Sequence, residues 1–175
     1  MPAIVLKPVE ALRAQIDCVL TRELPRLRQL APAAEIEHIG STAIPGTLTK
    51  GDVDVVLRIS ASDFADVIAA LRQVYAEAQR ENWSADFASF KDDQTGPLPF
   101  GIQVVVRGTE NDDFLRLRDL LRTDANARCR YNAVKQAHAG ADAEAYWRAK
   151  DRLIRELLIR LKRPPPPDPA ATETP

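Results

Sequence analysis

Residues 37–57 read EHIGSTAIPGTLTKGDVDVVL, and they set two carboxylates, Asp52 and Asp54, into a run that otherwise has the composition of a buried strand, Asp52 to Ile59. Residues two apart on a strand project from one face, so the two acids converge while Val53 and Val55 turn the other way. Crowded carboxylates are hard to desolvate, so the pair either stays solvated at a strand edge or meets a cation such as Mg²⁺. Just upstream, Gly40 and Ser41 end a short alternating strand, Glu35 to Ile39. A glycine there lets backbone N–H groups approach an anion, and the Ser41 and Thr42 hydroxyls add donors. Lys50 fits either a phosphate contact or a solvated loop charge. Phosphate donors beside a metal pair describe a nucleotide site. Other phosphate motifs are absent: Gly46 is followed by Thr47 where a P-loop needs lysine, and there is no dinucleotide fingerprint.

Working outward, Leu12, Ile16, Val19, Leu20, Leu24, Leu27 and Leu30 recur at helical spacing, with Pro25 expected to break or kink the run. Ser60 and Asp63 form a helix start before Phe64, Val67, Ile68 and Leu71. Phe87 and Phe90 mark a further strand, IQVVV at 102–106 another, and everything after Asp112 reads as helix. Three or four strands are expected, then helices, in an α/β (α+β) fold with a mixed sheet. Residues 1–162 form a single domain by this reading. The tail from Arg163, with four consecutive prolines, reads as a disordered or semi-rigid extension.

Composition sets the outer limits. The 175 residues, 45% hydrophobic and 28% charged, suit a folded globular chain. A net charge of −1 gives no global attraction to nucleic acid or an acidic membrane, which leaves only a local basic patch for such partners. Arg116, Arg118, Arg122, Arg128, Arg130 and Lys135 have a spacing that could aim several cations at a triphosphate or an anionic acceptor, but Asp112, Asp113, Asp119 and Asp124 interleave with them, the pattern of helix-surface ion pairing. Cys18 and Cys129 have no metal or redox spacing and are read as buried thiols. With no leader pattern and no long apolar span, the expectation is a cytoplasmic protein. His38 points with Ile36 and reads as a packed side chain, His138 as a surface residue and Trp147 as core.

Gly40-Ser41, ten residues, then Asp52-x-Asp54 resembles the signature of the nucleotidyltransferase fold of the DNA polymerase β superfamily. The whole 37–57 stretch is similar to the GrpB (UPF0157) family, and LRLRDLLR with Tyr131, Lys135, Tyr146 and Lys150 resembles that family's C-terminal helical pattern. The resemblance implies a nucleotidyltransferase-like mixed sheet flanked by helices, with Gly40 and Ser41 on a triphosphate. Asp52 and Asp54 would then bind Mg²⁺ (or Mn²⁺), and the partners would be an NTP and a hydroxyl acceptor that the sequence does not identify. Active superfamily members add a third acid from a later strand. Here the expected position is Gln103, a polar strand residue or a neutral metal ligand, with Asp86 and Glu110 as the other candidates. The same resemblance is compatible with a domain that has lost turnover and acts as a nucleotide-binding or accessory module.

Overall fold

The computed structural model describes residues 4–140 and 143–162, so the Pro-rich tail lies outside the described residues. The strands are β1 (Lys7–Pro8), β2 (Glu35–Ile39), β3 (Leu48–Thr49), β4 (Val53–Ile59), β5 (Ala76–Ala78), β6 (Phe87–Asp92) and β7 (Phe100–Val106). The helices are α1 (Arg13–Leu30), α2 (Phe64–Arg72), α3 (Phe114–Thr123), α4 (Ala125–His138) and α5 (Ala143–Lys162). Five strands make one mixed sheet in the order β2-β4-β7-β6-β5, with β4 and β7 parallel and the other pairs antiparallel. β1 and β3 form a separate short ribbon. The fold is therefore the expected mixed α/β one, with β1, β3 and β5 added. At two or three residues each, these strands are too short to show a period in sequence.

β4 lies inside the sheet between β2 and β7, with apolar residues on both of its faces. Val53, Val55, Leu57 and Ile59 pack with Phe100, Ile102 and Val104 of β7 beneath α1 and α2. On the opposite face Val56 packs with Ile39 and Val105 under Phe114 and Leu115 of α3. The last three helices share a second core of Leu121, Ala127, Tyr131, Leu153 and Leu157, into which Ile44 inserts from the loop after β2. That insertion fixes the Gly-Ser loop between sheet and helices.

Two expectations are corrected. Pro25 does not break α1, which runs through it after a short 3₁₀ turn at Val9–Leu12. Pro25 is exposed, so the carbonyl left without an N–H partner can turn to water. Cys18 and Cys129 are exposed rather than buried. Each lies on the outer side of a helix whose inward positions, Ile16 and Val19 in α1, Ala127 and Tyr131 in α4, are taken by core residues. His138 is half-buried and bonds through Nδ1 to the Val134 carbonyl, 2.9 Å away. No helix among the described residues is long and apolar enough to cross a membrane.

Replacing Pro25 by alanine restores a helical N–H toward the Thr21 carbonyl at the cost of a more flexible unfolded chain. The expected net gain is about 1–2 kcal/mol in urea unfolding, and an unchanged or lower midpoint would refute this account of the helix.

Candidate functional site

The carboxylate of Asp54 lies between two backbones. A Cβ built on Gly40 would stand 2.8 Å from its Oδ2, and one on Gly101 2.3 Å from its Oδ1. Gly40 also has φ of +73°, a conformation open to glycine at little cost. The two glycines therefore leave the space in which the acid sits. Enclosure on the sheet raises the Asp54 pKa from 3.8 to about 6, chiefly by desolvation and then by the charge of Asp52, with Lys150 and Lys50 opposing. Asp52 precedes the strand and is ion-paired with Lys50. The Lys50 ammonium also stands 4.6 Å from the centroid of the Trp147 ring, and Lys150 lies 4.1 Å from the same ring. Burial lowers the pKa of Lys150, against the pull of Asp54.

Ser41 faces α4. Its Oγ accepts from Lys135 Nζ at 3.0 Å and lies 3.2 Å from the Tyr131 hydroxyl. Lys135 is 1% exposed, also donates to the Leu48 carbonyl, and rests 4.1 Å from the Tyr131 ring. Desolvation, with a smaller contribution from Lys150, lowers its pKa from 10.5 to about 7. Asn132 straps the same loop, accepting from Leu48 N–H at 2.9 Å and donating to the Gly46 carbonyl at 2.9 Å. Thr42 turns inward instead. Its hydroxyl donates to the Asp52 carbonyl at 3.0 Å, so the 3.0 Å contact with His38 Nε2 is donated by the imidazole. That hydroxyl ties the loop to the residue that leads into β4.

The structure thus brings Gly40, Ser41, Lys50, Asp52 and Asp54 to one place. It adds Tyr131, Trp147 and Lys150, to which sequence spacing gave no geometry, and Lys135, which spacing offers only as one of several helical cations. Gln103 shares the Asp54 face, but its register partner on β4 is Val56, and the residue beside Asp54 is Gly101. Asp86 is held by Ser84 and Asn111 near the far end of β7, and the exposed Glu110 follows that same end. Neither supplies a third acid beside Asp54. Among the described residues no group of three or more His, Cys, Asp or Glu side chains is placed to hold a metal. Among the helical arginines the expected ion pairing holds for Arg116, Arg118 and Arg130, while Asp112 pairs with Arg58 of β4. Arg116 meets Asp113, Arg118 meets Glu37 and Asp119, Arg130 meets Glu156, and Arg122 and Arg128 cap backbone carbonyls. Trp147 is half-buried at the site and is not a core residue.

The architecture is that of a nucleotidyltransferase-like fold. Terminal uridylyl transferase 4 from Trypanosoma brucei, solved with UPU and with CTP bound, superposes with a TM-score of 0.51 in both cases. The UPU complex is 18% identical, over 87% of this chain and 57% of that one. The chain belongs to the GrpB family, whose profile, described as GrpB protein, matches residues 9–160. A conserved protein GrpB from Enterococcus faecalis shares the fold at a TM-score of 0.63 and 15% identity, over 88% of this chain and 99% of that one. Among curated relatives, a UPF0157 protein of Halalkalibacterium halodurans is 31% identical over 79% of this chain and 74% of its own length. One from Vibrio cholerae is 29% identical over 74% and 68%.

Lys135 gives a stability signature. Because folding lowers its pKa, the unfolded chain takes up this proton first as pH falls. Its contribution to stability therefore declines between about pH 10 and about pH 7 and is flat below. Lys135→Met removes that loss, on the order of a few kcal/mol. Thermal unfolding should show the variant's stability relative to the parent rising as pH is lowered from 10 to 7; a gap independent of pH would show that the lysine is not held neutral.

Proposed function

We propose that the protein binds a nucleoside triphosphate together with Mg²⁺ (or Mn²⁺) at this site and transfers a nucleotidyl group to a hydroxyl acceptor. The observation that carries the reading is the juxtaposition of two donor sets: Ser41 with the buried Lys135 on one side, and Asp52 with Asp54 on the other. Mg²⁺ is commonly held by one or two carboxylates plus substrate phosphates, so a single ion arriving with the triphosphate suits this pair. When bound, it would neutralise charge at the phosphate undergoing attack.

The residues of the chain have separate tasks in this scheme. Ser41 and Lys135 hold the phosphates that leave as pyrophosphate, while Lys150 balances charge beside Asp54. Lys50 is paired with Asp52 and must give up that contact before the carboxylate can serve an ion, and a triphosphate offers the lysine replacement oxygens. In the transfer itself the acceptor oxygen bonds to the α-phosphorus as the bond to pyrophosphate breaks, with the acceptor's proton passing to solvent or a neighbouring base.

A second reading, nucleotide binding without turnover, is favoured by β7. Gly101 lies beside Asp54 and Gln103 one pleat further along, so the strand supplies no carboxylate to take the acceptor's proton. Calorimetry with ATP, GTP, CTP and UTP tests the shared part of both readings. At least one should bind only with Mg²⁺ or Mn²⁺ present, and Asp54→Asn should weaken it by about tenfold or more. No metal-dependent binding to any of the four would end both. Pyrophosphate release across a panel of hydroxyl acceptors separates transfer from binding alone.

The binding should also depend on pH. An anion beside Ser41 favours protonated Lys135, whose pKa burial lowers to about 7. Affinity should therefore fall as pH rises above 7, by up to about tenfold per unit until the bound-state pKa is passed. In Lys135→Met that dependence should vanish along with most of the affinity, as read by the same calorimetry.

A further inference from the structure

A cavity of about 470 Å³ opens on the other side of the Gly-Ser loop, between the 3₁₀ turn at Val9 and Glu10, α1, His38 of β2, the loop residues Thr42, Ala43 and Pro45, and Arg122 of α3. His38 pairs in register with Val55, and Asp54 with Ile39, so the cavity faces the α1 side of the sheet and the carboxylates face α3 to α5. None of Ser41, Asp52, Asp54 or Lys135 lines it. Its volume lies in the range of small-molecule pockets.

Its chemistry is two-signed over an apolar floor, with Arg13 and Arg122 set against Asp17 and against Glu10, whose Oε1 already accepts from the Gly46 N–H at 2.7 Å. Ile16 is buried and Leu20 half-buried on the inner face of α1. One helical turn apart, Arg13 and Asp17 stand 4.0 Å from each other, beyond hydrogen-bond distance, so each retains capacity for a third group. Arg122 uses Nε on the Ala43 carbonyl, and its outer nitrogen is 3.7 Å from Asp119, again beyond a hydrogen bond. His38 donates through Nε2 to Thr42, which leaves Nδ1 as an acceptor with no bond among the described residues. Burial and the neighbouring Arg122 and Arg118 hold that imidazole neutral, with its pKa lowered to about 4.

We propose that this cavity binds a small zwitterion with an aliphatic body, of amino-acid type. The carboxylate meets Arg122 and Arg13, the ammonium meets Asp17 and His38 Nδ1, and the side chain lies on Ile16 and Leu20. A pure anion would leave Asp17 facing it and a pure cation would leave the arginines facing it, so charge matching selects a molecule carrying both. The occupant would also bear on the loop, because Thr42 joins His38 to the backbone of Asp52.

The test titrates the full chain, without nucleotide or metal, with L-leucine, 4-methylpentanoate and isopentylamine, followed by NMR of the Thr42 and Ala43 amides and the His38 ring. L-Leucine should give saturable shifts at these three residues, with the two singly charged probes about tenfold weaker or more. Asp17→Asn, at an exposed position whose loss should leave the fold intact, should lower leucine affinity and leave that of 4-methylpentanoate unchanged or higher. No saturable shift with leucine, equal binding of all three probes, or leucine affinity unchanged in Asp17→Asn would each overturn the proposal. With no nucleotide in the tube, the outcome is independent of the function proposed for the opposite side of the loop.

Discussion

The carboxylate of Asp54 keeps its position because two strands withhold side chains from it. Gly40 at the end of β2 and Gly101 on β7 flank β4 on either side, and a methyl group at either would press into the acid's oxygens. The arrangement orders what surrounds it. With Gly101 in that place, β7 cannot offer a third carboxylate beside Asp54. With Gly40 at positive φ, the chain turns away from the sheet and presents Ser41 to α4. The local charge is balanced by Lys50 and Lys150 drawn in from the loop and from α5, both set against Trp147. A site usually described by its acids is shaped here equally by missing side chains and by lysines.

The loop from Gly40 to Gly46 has two sides, and their separation follows from strand alternation. Ile39 and Asp54 share one face of the sheet, His38 and Val55 the other. Thr42 joins the two by bonding at once to His38 and to the carbonyl of Asp52.

Local signals made half of the site legible in the sequence. Alternation put Asp52 and Asp54 together, and turn residues located the Gly-Ser loop, because both depend on neighbours within a few positions. The same short range identified β4, β7 and the helical end of the chain, but it also overstated Pro25, whose penalty α1 absorbs at a solvent-facing position. Register was beyond its reach. Gln103 has the right facing but lies one pleat from where a partner for Asp54 would stand, and only the pairing of β4 with β7 reveals this. Lys135 meets Ser41 across 94 residues, and nothing in its helical surroundings distinguishes it from the surface cations nearby. Trp147 likewise reads as core from helical spacing, because periodicity does not tell a packed face from one that covers a site.

The support of the loop also imposes an order on biosynthesis. Residues 40–48 leave the ribosome early, yet Tyr131, Asn132 and Lys135 bind them from α4, and Ile44 packs with Leu153 and Leu157 of α5. Contacts of such sequence separation form late, after the long intervening chain has been closed. A nascent chain can therefore assemble much of its sheet with the loop still unsupported. The loop has all of its contacts only when α5 has been made.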